Sequence, residues 1–162
     1  MNDPQPAAQT ADPDTLTSEM AELEALPEDA PRVGIIMGTK RHLPVMEQAG
    51  AVLKEADVGY EVRVMSAHRE LQVLVDYCRN ARLRGLRVII AGAGLAAALP
   101  GIAAANTDLP VIGVPLTAPG TVSGGLDAVL SVVQMPAEVP VAAVGLDNPA
   151  NAAYLALRIL SA

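Results

Sequence analysis

Two histidines and one cysteine are the residues of this chain whose ordinary ionisation lies nearest neutral pH. His68 stands in the run Ser66-Ala67-His68-Arg69, and His42 closes the run Gly38-Thr39-Lys40-Arg41-His42. An imidazole beside an arginine can pass a proton next to a group that holds an anion. The first run offers a hydroxyl, two cations and the free N–H groups of a helix start, a combination that binds phosphate. A third run, Gly92-Ala93-Gly94, lets the backbone come very close to a ligand. Each run has a plainer reading: a solvated basic turn, a surface histidine, and a strand packed tightly on its helix.

Several chemistries are not indicated. The run from Gly38 lacks the second glycine and the Lys-Ser/Thr ending of a Walker A loop, and it lacks the three glycines of a dinucleotide fingerprint. No Gly-x-Ser-x-Gly elbow is present to carry a serine nucleophile. Two histidines, one cysteine and no clustered carboxylates in these runs supply no metal-ligand set, so neither a metal nor another cofactor is expected.

The three runs must be positioned by regular elements, and the hydrophobic pattern predicts them. Short β-branched runs at 33–37, 60–65, 86–91, 111–114 and 141–144 alternate with helical periodicity at 44–57, from the His68 run to 84, at 99–105, at 126–134 and at 148–160. Gly85 is the expected stop of the second helix, and a long Gly-, Pro-, Thr- and Ser-rich loop is expected at 115–125. Five strands, each followed by a helix, imply an all-parallel sheet covered on both faces. The expected fold is an α/β three-layer sandwich with a parallel five-stranded sheet in flavodoxin-like order. Ligands of such sheets lie outside the carboxyl ends of the strands, where the runs 38–42, 66–69 and 92–98 fall.

Composition narrows the function further. The chain has 162 residues, 51% of them hydrophobic, which suffices for one domain with a sizeable core. It has no Trp, no Phe and three Tyr, so a base-stacking nucleic-acid platform is excluded and the core must be built from small aliphatic residues. The net charge of −7 belongs to residues 1–31, which hold eight acids and no base; residues 32–162 hold 11 bases against 10 acids. Residues 1–31 are expected to be a disordered acidic leader, with a short helical turn at 18–25 capped by Ser18. The leader has neither the basic nor the apolar region of a secretory signal, and no apolar run is long enough to span a membrane. The expectation is a cytoplasmic protein with a buried thiol at Cys78. Within residues 32–87, 10 bases against 6 acids suit a small phosphorylated ligand.

Taken in order, Val33-Gly34-Ile35-Ile36-Met37-Gly38, Ser66-Ala67-His68-Arg69, Ala91-Gly92-Ala93-Gly94, Leu109-Pro110-Val111-Ile112-Gly113-Val114-Pro115, Val133-Gln134-Met135-Pro136 and Asn151-Ala152-Ala153 resemble class I PurE, the N5-carboxyaminoimidazole ribonucleotide mutases of purine biosynthesis. The resemblance covers residues 32–160. It implies a homo-octamer with sites at subunit junctions, and a reaction that moves a carboxylate from an exocyclic nitrogen to a ring carbon through trapped CO2. It implies that His68 is the proton carrier and that Arg69 binds phosphate. Substrate contacts are implied at Gly38, Thr39, Arg41, His42, Ser66 and Ala67, and along Ala91, Gly92, Ala93, Gly94 and Leu95, with the Gly92–Gly94 backbone lining the pocket for CO2 and the base.

The departures cluster in the same runs. The family's first loop is Gly-Ser-x-Ser-Asp; here Thr39 keeps a hydroxyl, Arg41 replaces a Ser and His42 replaces the Asp that holds the ribose hydroxyls. The family's third loop is Gly-Ala-Gly-Gly-Ala-Ala-His-Leu-Pro-Gly; here Leu95 stands for the fourth residue and Ala98 for the His. Glu70-Leu71 stands where Thr-Pro is usual. The resemblance therefore implies a divergent paralogue, a mutase or a carboxylase/decarboxylase with altered substrate recognition. Two alternatives stand beside it. One is a carboxylase of a pyridine nucleotide, similar to the PurE-like domain of pyridinium biscarboxylate mononucleotide synthase at Ala98 and at Asp147-Asn148. The other is a catalytically silent octameric nucleotide-binding relative.

Overall fold

A computed structural model of the chain describes residues 26, 27 and 30–162. The helical turn expected at 18–25 lies outside the described residues. Leu26 and Ala30, near the end of the leader, lie against Gly85, whose φ of 94 closes the turn after the second helix.

Five parallel strands form one sheet in the order β2-β1-β3-β4-β5. They are β1 Val33–Met37, β2 Tyr60–Val64, β3 Val88–Gly94, β4 Val111–Leu116 and β5 Ala142–Ala143. The helices are α1 Leu43–Glu55, α2 Leu71–Arg79, α3 Ala98–Ala104, α4 Leu126–Val133 and α5 Pro149–Leu160. Order and class are those expected from the alternating pattern.

The alternation of side chains along the strands sorts the core into two halves. Ile36, Ile89, Ala91, Ala93 and Val111 face Leu74 and Cys78 of α2, Leu99 and Ala103 of α3, and Ala128 and Val132 of α4. Val33, Ile35, Met37, Val88, Ile90, Ile112 and Val114 face Met46, Ala49 and Leu53 of α1 and Ala152, Ala153 and Ala156 of α5. The three central strands are buried along nearly their whole length, as a sheet covered on both faces requires.

Boundaries differ from the sequence pattern at α2, β3 and β5, and β4 runs through Leu116 into the expected loop 115–125. The second helix does not run to residue 84: it stops at Arg79, the Ala81 N–H turns from the i−4 ladder to the Cys78 carbonyl at 3.3 Å, and a 3-10 turn Arg82–Arg84 follows. Gly92, Ala93 and Gly94 are not a loop but the end of β3, paired with Val114, Pro115 and Leu116 of β4. β5 is only two residues long and exposed at the sheet edge. On the outer face of α4, Leu126, Leu130 and Val133 form an exposed apolar stripe at helical spacing.

Glycine sets how closely the layers approach at Gly113. A Cβ there would collide with Val132 Cγ1 and stand 2.9 Å from Val141 Cγ1. Both neighbours are β-branched and stiff. Gly113→Ala is expected to cost about 1–3 kcal/mol, read as a lower midpoint in urea denaturation with an unchanged slope.

Candidate functional site

The carboxyl ends of β1, β2, β3 and β4 open into one cavity of about 720 Å³, the size of a small-molecule site. It is lined by Gly38, Thr39, Arg41 and His42 after β1, by Ser66 to Arg69 after β2, by Ala93 to Leu99, and by Thr117 to Pro119 after β4. The sheet register explains why these turns meet. Met37 pairs with Val64 on one side and with Gly92 on the other, and Gly94 pairs with Leu116.

Each turn has its own local cause. After β1 the chain stays extended at Thr39, whose hydroxyl accepts from the Arg41 amide at 3.4 Å and caps a 3-10 turn Lys40–His42. Pro44 then sets the first turn of α1. A Cβ built on Gly38 would meet nothing beyond its chain neighbours within 4 Å, and Gly38 opens onto the cavity.

After β2 the turn closes on itself. The Glu70 amide donates to the Ser66 carbonyl at 2.8 Å, while Glu70 Oε2 accepts from the Ser66 amide at 3.0 Å. This reciprocal pair replaces what a proline would do for rigidity. It buries Ser66 and Ala67 and leaves His68 and Arg69 exposed towards the cavity.

The third turn is strained. Leu95 has φ 55 and Ala97 φ 28, both in the left-handed region. Such a conformation costs a branched residue about 1–2 kcal/mol relative to the right-handed one. Leu95 lines the cavity and is exposed, so its side chain is not held there by core packing.

The cavity is cationic on its charged side. Arg41 and Arg69 have no carboxylate partner among the described residues, and no Asp or Glu lines the space. Glu70 stands at the start of α2 with its carboxylate on the Ser66 amide, whereas α1 has no acid in its first turn to offset its positive end. His42 Nδ1 is buried without a hydrogen-bond partner. Burial holds the His42 imidazole below its usual value, and the Asp147 carboxylate works against that shift. Cys78 lies in the core, its thiol pushed up to about 11 by burial, and takes no part in the site.

Of the residues singled out from sequence, Gly38, Thr39, Arg41, His42, Ser66, Ala67, His68, Arg69, Ala93, Gly94 and Leu95 share this cavity. Ala91 and Gly92 do not line it. Ala91 points into the core beneath α2 and α3, and Gly92 admits Met46 of α1, whose Sδ would stand 2.5 Å from a Cβ there. Ala96 and Ala97 fall inside the expected strand-end run 92–98, while Leu99, Thr117, Ala118 and Pro119 were not expected in the site. The loop after β4 obeys the same strand-end rule as the other three and was available by it.

The AIR carboxylase family pattern matches residues 32–162. The chain belongs to the AIR carboxylase family. It is 56% identical over 131 residues to the N5-carboxyaminoimidazole ribonucleotide mutase of Pyrococcus abyssi, covering 81% of this chain and 74% of that protein. It is 53% identical over 135 residues to the phosphoribosylaminoimidazole carboxylase of Schizosaccharomyces pombe, covering 83% of this chain and 24% of that longer protein. The crystal structure of Treponema denticola PurE superposes with a TM-score of 0.70 at 29% identity, covering 81% of this chain and 80% of that one.

Within this family scaffold, the His42 environment makes a measurable prediction. NMR titration should place the His42 imidazole below 6.5. Asp147→Asn should lower it further, because the charge that favours the imidazolium is gone. The unfolded chain takes up that proton first. This residue's share of stability is therefore present above pH 6.5 and is lost as the pH falls towards the folded value. A value at or above the ordinary one would contradict the burial of the ring.

Proposed function

We propose that this chain is a PurE-type enzyme that moves a carboxylate on an aminoimidazole ribonucleotide, with His68 as the proton carrier. The observation that carries the reading is His68 and Arg69 on one self-closed turn, facing Thr39 and Arg41 across a single cavity. In this reading the phosphate binds Arg69, Arg41 and the Thr39 hydroxyl, where cations and helix starts leave positive potential.

The chemistry balances without an added reactant. As the bond from the exocyclic nitrogen to the carboxylate breaks, CO2 leaves and His68 gives that nitrogen a proton. The ring carbon then attacks CO2, and its own proton passes to His68. The imidazole ends as it began, and the net change is an isomerisation. Ala93, Ala96, Ala97 and Ala98 give the far side of the cavity a small apolar lining. That lining suits retention of an uncharged CO2 molecule away from water.

The substitutions at Arg41, His42, Leu95 and Ala98 all lie on the cavity wall, which supports altered recognition of the substrate within this reaction class. The exposed Leu126, Leu130 and Val133 stripe supports association of identical subunits, and we place the octamer of the resemblance, in the cytoplasm, within the same reading. Among the described residues no helix is long and apolar enough to cross a membrane.

His68→Asn should reduce turnover of the ring-carboxylated aminoimidazole ribonucleotide by about 10²–10⁴-fold, with ligand affinity nearly unchanged, as followed by substrate absorbance and calorimetry. Unaltered turnover in that variant would remove His68 from the chemistry. Stabilisation by nicotinate adenine dinucleotide, with none by the aminoimidazole nucleotide, would move the protein to the pyridine-nucleotide class.

A further inference from the structure

Behind the cavity wall stands a carboxylate that the reaction above does not use. Asp147 sits between β5 and α5 with φ 52, a left-handed conformation that Asp tolerates better than most side chains. Its amide donates to the Pro115 carbonyl at 2.9 Å. Its two oxygens are divided between two donors of one residue. The Thr117 amide donates to Oδ1 at 2.8 Å, and the Thr117 hydroxyl donates to Oδ2 at 2.6 Å.

Thr117 lines the cavity and Asp147 does not. A hydroxyl has one proton to give, and here it points away from the ligand space into a short, charge-assisted bond. What Oγ1 presents to the cavity is its remaining lone-pair capacity, on an oxygen polarised by the carboxylate behind it. This corner accepts hydrogen bonds and carries a negative charge in its second layer. An additional phosphate is disfavoured there, and a hydroxyl donor is favoured.

We propose that Asp147 is a positioning residue that makes Thr117 Oγ1 an acceptor for a sugar hydroxyl of the ligand. The inference rests on the proposed function only in taking the ligand to be a ribose phosphate. A competing view is that Asp147 merely latches the loop after β4 to the start of α5. The two views part on sugar selectivity, which a latch would not alter.

The test uses the full chain and measures binding of ribose 5-phosphate against its 2-deoxy and 3-deoxy counterparts by ligand-observed NMR. The unsubstituted protein should prefer the ribose compound over at least one deoxy form by about tenfold, the scale of one good hydrogen bond to a polarised group. Thr117→Val and Asp147→Asn should bring that preference below about threefold. Thr117→Ser should keep it, and thermal melting confirms that each variant is folded. With the ring-carboxylated aminoimidazole ribonucleotide, Asp147→Asn should raise KM about tenfold and leave kcat nearly unchanged.

Equal loss of all three sugar phosphates in Asp147→Asn, with selectivity retained, would establish the latch and overturn the proposal. So would the absence of any preference, or of ribose 5-phosphate binding, in the unsubstituted protein. If selectivity behaves as expected while the aminoimidazole nucleotide is never converted, the reaction assignment fails and the hydroxyl corner stands.

Discussion

The pairing of Met37 with Gly92 is the constraint from which the site follows. β1 and β3 are neighbours in the sheet, yet the chain leaves them in opposite directions. After β1 it turns to α1 on one face, and after β3 to α3 on the other. Two adjacent strands whose exits diverge must leave a crevice between them, and that is where ligands of open parallel sheets lie. β2 and β4 flank this central pair in register, so their turns add the second and fourth walls. The cavity needs no dedicated lid or insertion; it is what the winding of the sheet leaves uncovered.

Small side chains keep that crevice open. Towards the carboxyl end of β3, residues on one face shrink from Ile89 through Ala91 to Ala93, and on the other from Ile90 to Gly92 and Gly94. Gly94 runs so close to β4 that a Cβ would stand 2.7 Å from the Leu116 carbonyl oxygen. The cations meanwhile gather on the turns after β1 and β2, with no carboxylate on the cavity wall to neutralise them. Asp147 does not line the cavity and is tied to it through Thr117, as Glu70 is through the Ser66 amide. Polarity is thus graded across a short space, from a cationic wall to an apolar floor to a hydrogen-bond-accepting corner.

Most of this arrangement was readable in the residues. Alternation of β-branched runs with helical spacing suffices to predict five strands, their helices and the sheet order, because an all-parallel sheet leaves few topologies. The turns after β1 and β2 were legible because charged, hydroxyl and imidazole groups at strand ends have few structural uses. Ala91 and Gly92 lie off the cavity wall, and a glycine that admits Met46 looks the same in sequence as one that admits a ligand. The strand-end rule points to the loop that holds Thr117, but a lone threonine there does not show what it does. Its role depends on Asp147, 30 residues away, and only the fold brings them together. The early end of α2 is a change from i−4 to i−3 bonding at Ala81, which periodicity does not see.

Eleven of the thirty-one buried apolar residues among those described are alanines. An alanine has no side-chain rotamer freedom to surrender on folding, but it also buries little area. The usual vulnerability of a core is therefore inverted in much of this one. Trimming a side chain to alanine has no meaning at these positions, and the damaging direction is enlargement, where one added methyl group must displace a layer. Natural variation should be least tolerant where the chain looks most featureless, at the inward alanines of α5 and the glycines of β3 and β4. The tolerant positions should be larger residues on outer faces away from the apolar stripe of α4.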